Sequence, residues 1–259
     1  CTLTQAVAMS RTPDPLPDPG TVNKIVRFIA IGDTGTGEDG QYKVAAALEA
    51  VCAERGCDFA VGLGDNIYES GVDHVDDLQF VTKFEDPYKN LSFPFYMALG
   101  NHDNSWLFGG DGLDNSKGDI QVDYHYRSDR LSNKWQMPAR YFTFTAPHND
   151  QQPLVRFLAL DSNPLAAVGD ADAAYWQLPY KKQQADWINA TLNSSQAPWN
   201  IAFAHHPFIS NGKHGNAGLY DGFPGAGVIY YDMVKDHVCN KEALFLAGHD
   251  HDLQFLKPA

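Results

Sequence analysis

The 259-residue sequence contains no run of eighteen apolar residues, so no segment has the length needed to cross a bilayer as a helix. Positive charge is scarce: 19 Lys and Arg stand against 32 Asp and Glu, for a formal charge of −13. Nucleic acid and anionic membranes are held by basic patches, so this balance argues against both as partners. An acidic chain that handles phosphate must then bring its own local positive charge, and bound multivalent cations are the obvious supply. Cysteine is also rare, with four residues, too few for a disulfide scaffold. Cys52 and Cys57 could close a small bridge or stand as buried thiols, and their spacing decides neither. What is present in quantity is apolar side chain, 44% of residues with 12% aromatic, which excludes global disorder. The length fits one large domain or two small ones.

The chain opens on Cys1, either because it has been trimmed or because a lipoprotein signal peptide was cut before a cysteine that carries a lipid anchor. A Pro-rich stretch from Arg11 to Gly20 (RTPDPLPDPG) reads as an extended tether and suits both readings. The expected division is a linker over residues 1–22 and a single catalytic domain over residues 23–259. Three N-x-S/T sequons, at Asn90, Asn189 and Asn193, matter only in a eukaryotic secretory pathway. Export is the favoured location, whether secreted, periplasmic or anchored at a cell surface.

Beyond the linker, apolar runs and helical spacings alternate. Ile25–Ile31, Phe59–Leu63, Phe93–Leu99, Tyr141–Thr145, Leu154–Leu160, Ile201–Ala204 and Leu244–Ala247 read as strands, with Leu253–Leu256 as a possible further one. Helices are expected over Gln41–Glu54, with Val44, Leu48 and Val51 in phase, over Gln183–Leu192 and over Val228–Val238. The Gly-, Asp- and Asn-rich stretch Asn104–Lys134 reads as a long loop. Alternation of this kind predicts a layered α/β domain. Five of the strands end in short turns rich in Gly, His or Asp, and ligands gather at the carboxyl ends of strands in open α/β sheets.

Those turns supply Asp33, Asp65, Tyr68, Asn101, His102, His205, His206, His249 and His251. Carboxylate, imidazole, phenol and amide oxygen form a mixed O/N donor set suited to Fe, Zn or Mn, without soft thiolates. It is too large for one tetrahedral ion and about right for two ions sharing a carboxylate. Such a pair can clamp and polarise a phosphoryl group and generate hydroxide near neutral pH. Singly, each motif has a plainer reading: a Gly-Asp turn is commonly an Asx turn, and a histidine after a strand is more often structural than a ligand. His74, His125, His148 and His237 stay in that plainer class. Five such turns in one chain are poorly explained by chance.

GDTG (Gly32–Gly35), GDNIY (Gly64–Tyr68), GNHD (Gly100–Asp103), AHHP (Ala204–Pro207) and GHDH (Gly248–His251) resemble the motifs of the calcineurin-like metallophosphoesterases. Tyr68, three residues after Asp65, narrows the resemblance to purple acid phosphatases of the small, tartrate-resistant type. It covers nearly all of the chain after the linker, including WQMPARYF (Trp135–Phe142). The resemblance implies a four-layer α/β/β/α sandwich with a dinuclear site at the carboxyl ends of strands. Asp33, Tyr68 and His251 would hold Fe3+. Asn101, His205 and His249 would hold a divalent ion (Fe2+, Zn2+ or Mn2+), and Asp65 would bridge the two. At AHHP, His206 stays open as a rival to His205. His102 and His214 resemble the outer histidines that contact substrate phosphate, although a solvated loop residue is the plainer reading of His214.

The implied reaction is hydrolysis of small phosphate monoesters at acidic pH by a metal-activated hydroxide. A metallophosphodiesterase or pyrophosphatase on the same metals is the alternative, and a phosphate- or iron-binding protein without turnover is the alternative of another class. Two features depart from the family pattern. The Asn104–Lys134 loop, with Trp106 and Phe108, is about a dozen residues longer than its counterpart, and the family continues past the position of Ala259 with strands that complete its second sheet.

Overall fold

The computed structural model describes residues 24–104, 115–167, 169–170, 172–239, 241 and 244–256. The expected linker over 1–22 and the anchor at Cys1 lie outside the described residues, as do Trp106 and Phe108 of the long loop.

Two four-stranded sheets form the centre. The first has order β1-β2-β3-β4, from Phe28–Ile31, Phe59–Gly62, Phe95–Met97 and Trp135–Gln136, and all its pairs are parallel. The second has order β5-β6-β7-β8, from Phe142–Ala146, Val155–Ala159, Trp199–Phe203 and Leu244–Leu246; β5 is antiparallel to β6 and the others are parallel. Strand residues alternate between faces, and the registers show what each face buries. Phe28 and Phe59 on the first sheet meet Phe144 and Phe157 on the second edge to face, and Tyr96 stacks on Phe144 at 3.6 Å. Aromatic pairs of this geometry add about 0.5–1.5 kcal/mol each beyond area burial.

The outer faces carry helices. Against the first sheet lie α1 (Asp39–Arg55), a single π-turn over Val81–Glu85, and α3 (Lys117–Tyr126) beyond the short α2 (Asn101–Asn104). On the second sheet, Leu158, Ala202 and Phe245 pack with α5 (Gln177–Asn193) and α6 (Val228–Met233), and the short α4 (Asn163–Ala166) joins the same core. The layers are therefore α/β/β/α, as expected. Trp187 of α5 packs against this second core.

Three expectations need correction. The stretch Asn104–Lys134 is not all loop, because α3 lies inside it. Its polar residues are buried by tertiary hydrogen bonds, with Gln121 donating to Asp103 at 2.8 Å and accepting at its carbonyl from the Trp135 indole at 3.2 Å. Leu253–Leu256 is not a strand, since Leu253 is fully exposed and the chain turns back locally, Asp252 N–H donating to the Asp250 carbonyl. Helix α1 is present but rotated, with Val44 and Val51 exposed and Gln41 and Ala45 buried. Gln41 turns inward because its side chain accepts from Gly37 N–H and donates to the Lys83 carbonyl, at 2.8 and 2.7 Å. Cys52 and Cys57 form a disulfide across the end of this helix, where Gly56 N–H returns to the Cys52 carbonyl.

Candidate metal centre

All five motif turns follow the carboxyl ends of strands: Asp33 after β1, Asp65 after β2, Asn101 after β3, His205 after β7 and His249 after β8. Their backbones pack against one another. Gly64 has φ +86, and a Cβ there would lie 2.7 Å from the His205 ring nitrogen Nδ1, so only glycine allows the approach. Asp33, Asp65 and His249 take left-handed φ values of 57, 52 and 71 degrees. Strain of this sort costs about 1–3 kcal/mol per residue and persists only where the surroundings impose it. Here the imposing contacts are visible: Asp33 N–H donates to the Gly64 carbonyl, Gly35 N–H to the Asp65 carbonyl, and His249 N–H to the Asp33 carboxylate at 3.1 Å.

The side chains gather into two triangles. In the first, the Tyr68 hydroxyl lies 3.1 Å from His251 Nε2 and 3.4 Å from Asp33 Oδ1, and His251 Nε2 is 3.5 Å from the same Asp33 oxygen. In the second, His205 Nε2 lies 2.8 Å from Asn101 Oδ1 and 3.1 Å from His249 Nδ1, which is itself 3.1 Å from Asn101 Oδ1. Asp65 reaches this second group, with Oδ1 3.4 Å from His205 Nε2, and its charge also acts on Tyr68.

His205 Nδ1 is 2.9 Å from the Leu63 carbonyl, an acceptor, so the proton sits on Nδ1 and the Nε2 lone pair faces inward. That lone pair, the Asn101 oxygen and His249 Nδ1 point at a common space, an arrangement that a cation stabilises. Electrostatics agree. Burial raises the pKa of Asp33 and Asp65, only partly offset by nearby imidazoles, and it drives Tyr68 far upward with help from the charges of both aspartates. Burial also lowers His205, and it pushes His249 far down together with the neighbouring His206, His205 and His214. Carboxylates and a phenol held short of charge, beside imidazoles that resist protonation, form a donor set completed by multivalent cations. The residues present therefore fit the implied metals.

Both outer histidines sit beside these triangles. The His102 ring is 4.5 Å from that of Tyr68, and its Nδ1 lies 2.7 Å from the Glu69 carbonyl. The His214 ring is 4.4 Å from that of His249, and its Nδ1 lies 2.7 Å from Asp221 Oδ1. At AHHP, His205 meets Asn101 and His249. His206 engages Ser162 Oγ through Nδ1 at 2.8 Å, although it offers a ring nitrogen within 4.8 Å of those of His205 and His249. An open cavity of about 660 Å³ lined by Lys24, Gln152, Leu154 and Pro198 lies at the amino ends of β6 and β7, and no motif residue lines it.

Sequence reasoning missed the residues that hold these groups in place. Asp103 is fully buried, with burial raising its pKa to about 6. It accepts from the backbone N–H groups of Asn66, Ile67 and Gly100 and from the Gln121 side chain. Arg140 donates to Asp161, Asn104, Asp119 and the Asn115 carbonyl at 2.7–3.1 Å, so it joins α2 to both neighbouring segments. Asp250 accepts from Ser210 and from His214 N–H. For Asp103 the signal was its place in GNHD; Asp250 stands inside GHDH, where the flanking histidines drew attention away from it.

Residues 26–253 match the family described as calcineurin-like phosphoesterase. Tartrate-resistant acid phosphatase type 5 of Sus scrofa is 26% identical over 251 residues, which cover 90% of this chain and 66% of the relative. The protein of the same name from Homo sapiens is 25% identical, over 90% of this chain and 69% of the relative. Purple acid phosphatase 4 of Arabidopsis thaliana is 25% identical, over 89% and 63%. The chain thus spans about two thirds of the length of these relatives. Among solved structures, "GAP50 the anchor in the inner membrane complex of Plasmodium" aligns with a TM-score of 0.61 at 21% identity, over 87% of this chain and 66% of that one, a likeness of fold. With a family match that runs through all five strand-end turns, the chain belongs to the calcineurin-like phosphoesterases, and its relatives include tartrate-resistant and purple acid phosphatases.

Proposed function

We propose that this chain hydrolyses small phosphate monoesters at acidic pH, with Fe3+ held by Asp33, Tyr68 and His251, a divalent ion held by Asn101, His205 and His249, and Asp65 between them. The observation that carries the reading is the pair of donor triangles next to Asp65, one of which contains a phenol. The two cations, when bound, supply the Lewis acidity that keeps a water-derived nucleophile available in acid, and the phenolate charge-transfer colour.

The remaining work falls to the chain's own residues. His102 and His214 stand on either side of the triangles, where each can hydrogen-bond an oxygen of bound phosphate. The Glu69 carbonyl and the Asp221 carboxylate accept the Nδ1 protons, so each Nε2 offers a lone pair that can accept from a protonated phosphate oxygen. In the overall reaction an oxygen from water bonds to phosphorus as the ester P–O bond breaks, and the leaving alkoxide takes a proton from solvent or from the protonated phosphate oxygen, relayed through the Nε2 of an outer histidine. Export of the protein is supported by the Cys52–Cys57 disulfide, since such bonds persist in oxidising compartments.

The test combines a visible spectrum and metal analysis of an iron-replete sample with rates on an aryl phosphate monoester and its diester. Purple colour, two metals per chain and faster monoester turnover are expected. A colourless protein with two divalent ions would remove Tyr68 from the first triangle's chemistry. Faster diester or pyrophosphate turnover would move the assignment to those substrates, and tight phosphate binding without turnover would make the protein a binder.

A further inference from the structure

His214 lies in the long connection between β7 and α6, with no strand or long helix to set its direction. Three contacts do so instead. Its backbone N–H donates to Asp250 Oδ1 at 2.8 Å, while the other Asp250 oxygen accepts from the Ser210 hydroxyl. Asp221 N–H donates back to the His214 carbonyl at 2.9 Å, and Asp221 Oδ1 lies 2.7 Å from His214 Nδ1. Asp221 thus grips His214 at two points, main chain and ring.

The backbone at Asp221 makes this grip informative. Its φ is +54 and its ψ +22, inside the single turn Tyr220–Gly222. Glycine and asparagine suit such a left-handed position best, and aspartate is tolerated there. A loop that needed only the turn would be served by any of the three. What aspartate alone brings is a carboxylate, which accepts and cannot donate. At 2.7 Å it requires the proton of His214 to sit on Nδ1, leaving Nε2 as the free edge of a ring packed 4.4 Å from that of His249.

We propose that Asp221 is a positioning residue for His214, fixing its tautomer and ring direction so that the Nε2 lone pair faces the metal centre and accepts the hydrogen of a protonated oxygen on the phosphate monoanion held there. The inference rests on the phosphate-hydrolase reading of this site. A carboxylate behind a histidine does the same for other catalytic imidazoles, where an amide in its place admits the wrong tautomer. Outer partners of metal-ligating histidines, once removed, typically cost about 10–100-fold in metal affinity or activity, and a loss at the lower end of that range is expected for this partner of a phosphate-facing one.

The experiment uses the full chain loaded with zinc, a diamagnetic ion, and compares wild type, Asp221→Asn, Asp221→Gly, His214→Ala and the His214→Ala/Asp221→Asn double variant. Glycine keeps the left-handed backbone unstrained, so Asp221→Gly removes the carboxylate without a folding penalty at that φ. Side-chain 15N NMR reports the His214 tautomer, titration with inorganic phosphate reports affinity, and monoester kinetics report kcat and KM. Wild type should carry the His214 proton on Nδ1, and both Asp221 variants should lose that signature. Both should also bind phosphate about tenfold more weakly, and the double variant should be no worse than His214→Ala alone. An unchanged tautomer with wild-type phosphate affinity, or full additivity in the double variant, would overturn the proposal. A chain that turned over no phosphate ester would overturn the hydrolase reading alone, because tautomer and phosphate affinity would still decide the role of Asp221.

Discussion

The turn after β3 and the connection after β7 each present one outer histidine, and they are built on opposite principles. Around Asn101 and His102 the supports are buried. Asp103 gathers three backbone N–H groups, Asn104 donates to the Gly100 carbonyl at 2.8 Å, and Arg140 donates to Asn104. The ring of His102 rests on a main-chain carbonyl, that of Glu69. Around His214 the supporting Asp221 carboxylate is half exposed. Buried networks are costly to break, because each orphaned group loses both its partner and its water. An exposed carboxylate contributes little to stability and can still set a direction. The first ring is therefore held by the main chain of a buried turn, and the second ring by a side chain that substitution can remove, with the backbone of His214 alone tied to the buried Asp250.

The contrast can be broken in several places, with effects of decreasing size. Asp103→Ala would leave the N–H groups of Asn66, Ile67 and Gly100 without an acceptor, and it should lower stability by about 3–5 kcal/mol in urea unfolding and reduce metal content with it. A loss below about 1 kcal/mol would show that the turn after β3 is not held from within. His214→Ala should reduce monoester kcat/KM by about 100-fold or more while leaving the unfolding free energy within about 0.5 kcal/mol of wild type; a large stability loss would erase the distinction between the two regions. Arg140→Lys keeps the charge but cannot reproduce the forked contacts to Asp161, Asn104 and Asn115, and a drop of about 2 kcal/mol is expected by thermal or urea unfolding. The smallest effect is the most discriminating. Glu69→Gln should leave kcat/KM within about twofold, since the Glu69 carboxylate stands 3.9 Å from His102 and the main-chain carbonyl does the holding. A tenfold loss there would make the two histidines alike.

The strand-end turns could be read from sequence because each is an apolar run that stops abruptly at a polar donor, after glycine in four of them and after Ala204 in the fifth, a pattern that needs no knowledge of distant contacts. Helix α3 could not, because Lys117, Gln121 and Tyr124 are buried only through partners such as Asp73, Asp103, Trp135 and Glu85, far away in the chain. The rotation of α1 was hidden for the same reason, since valines at helical spacing outweighed a glutamine whose acceptor, the Lys83 carbonyl, lies 42 positions away. Asp221 reads as an ordinary turn residue in a Gly-rich loop, and only its distance to His214 Nδ1 distinguishes it. The choice between His205 and His206 was left open by AHHP, and the geometry separates them by what each Nδ1 touches: the Leu63 carbonyl for one, Ser162 for the other.

The hydrogen bond from His249 N–H to the Asp33 carboxylate joins residues 216 positions apart. Asp33, Asp65, Tyr68 and Asn101 all precede β4, so the first sheet can gather them while the imidazoles of the second are still unmade on the ribosome. Because His249 and His251 are made long after Asp33, the complete cluster depends on contacts of very high sequence separation, which form slowly. A cation held by Asp33, Tyr68 and His251 would then act as a clasp between β1 and β8. Closing so large a loop costs only slightly more than closing one half its length, about 0.6 kcal/mol per doubling. Chelation would on this account loosen the association of the two sheets as well as empty a pocket.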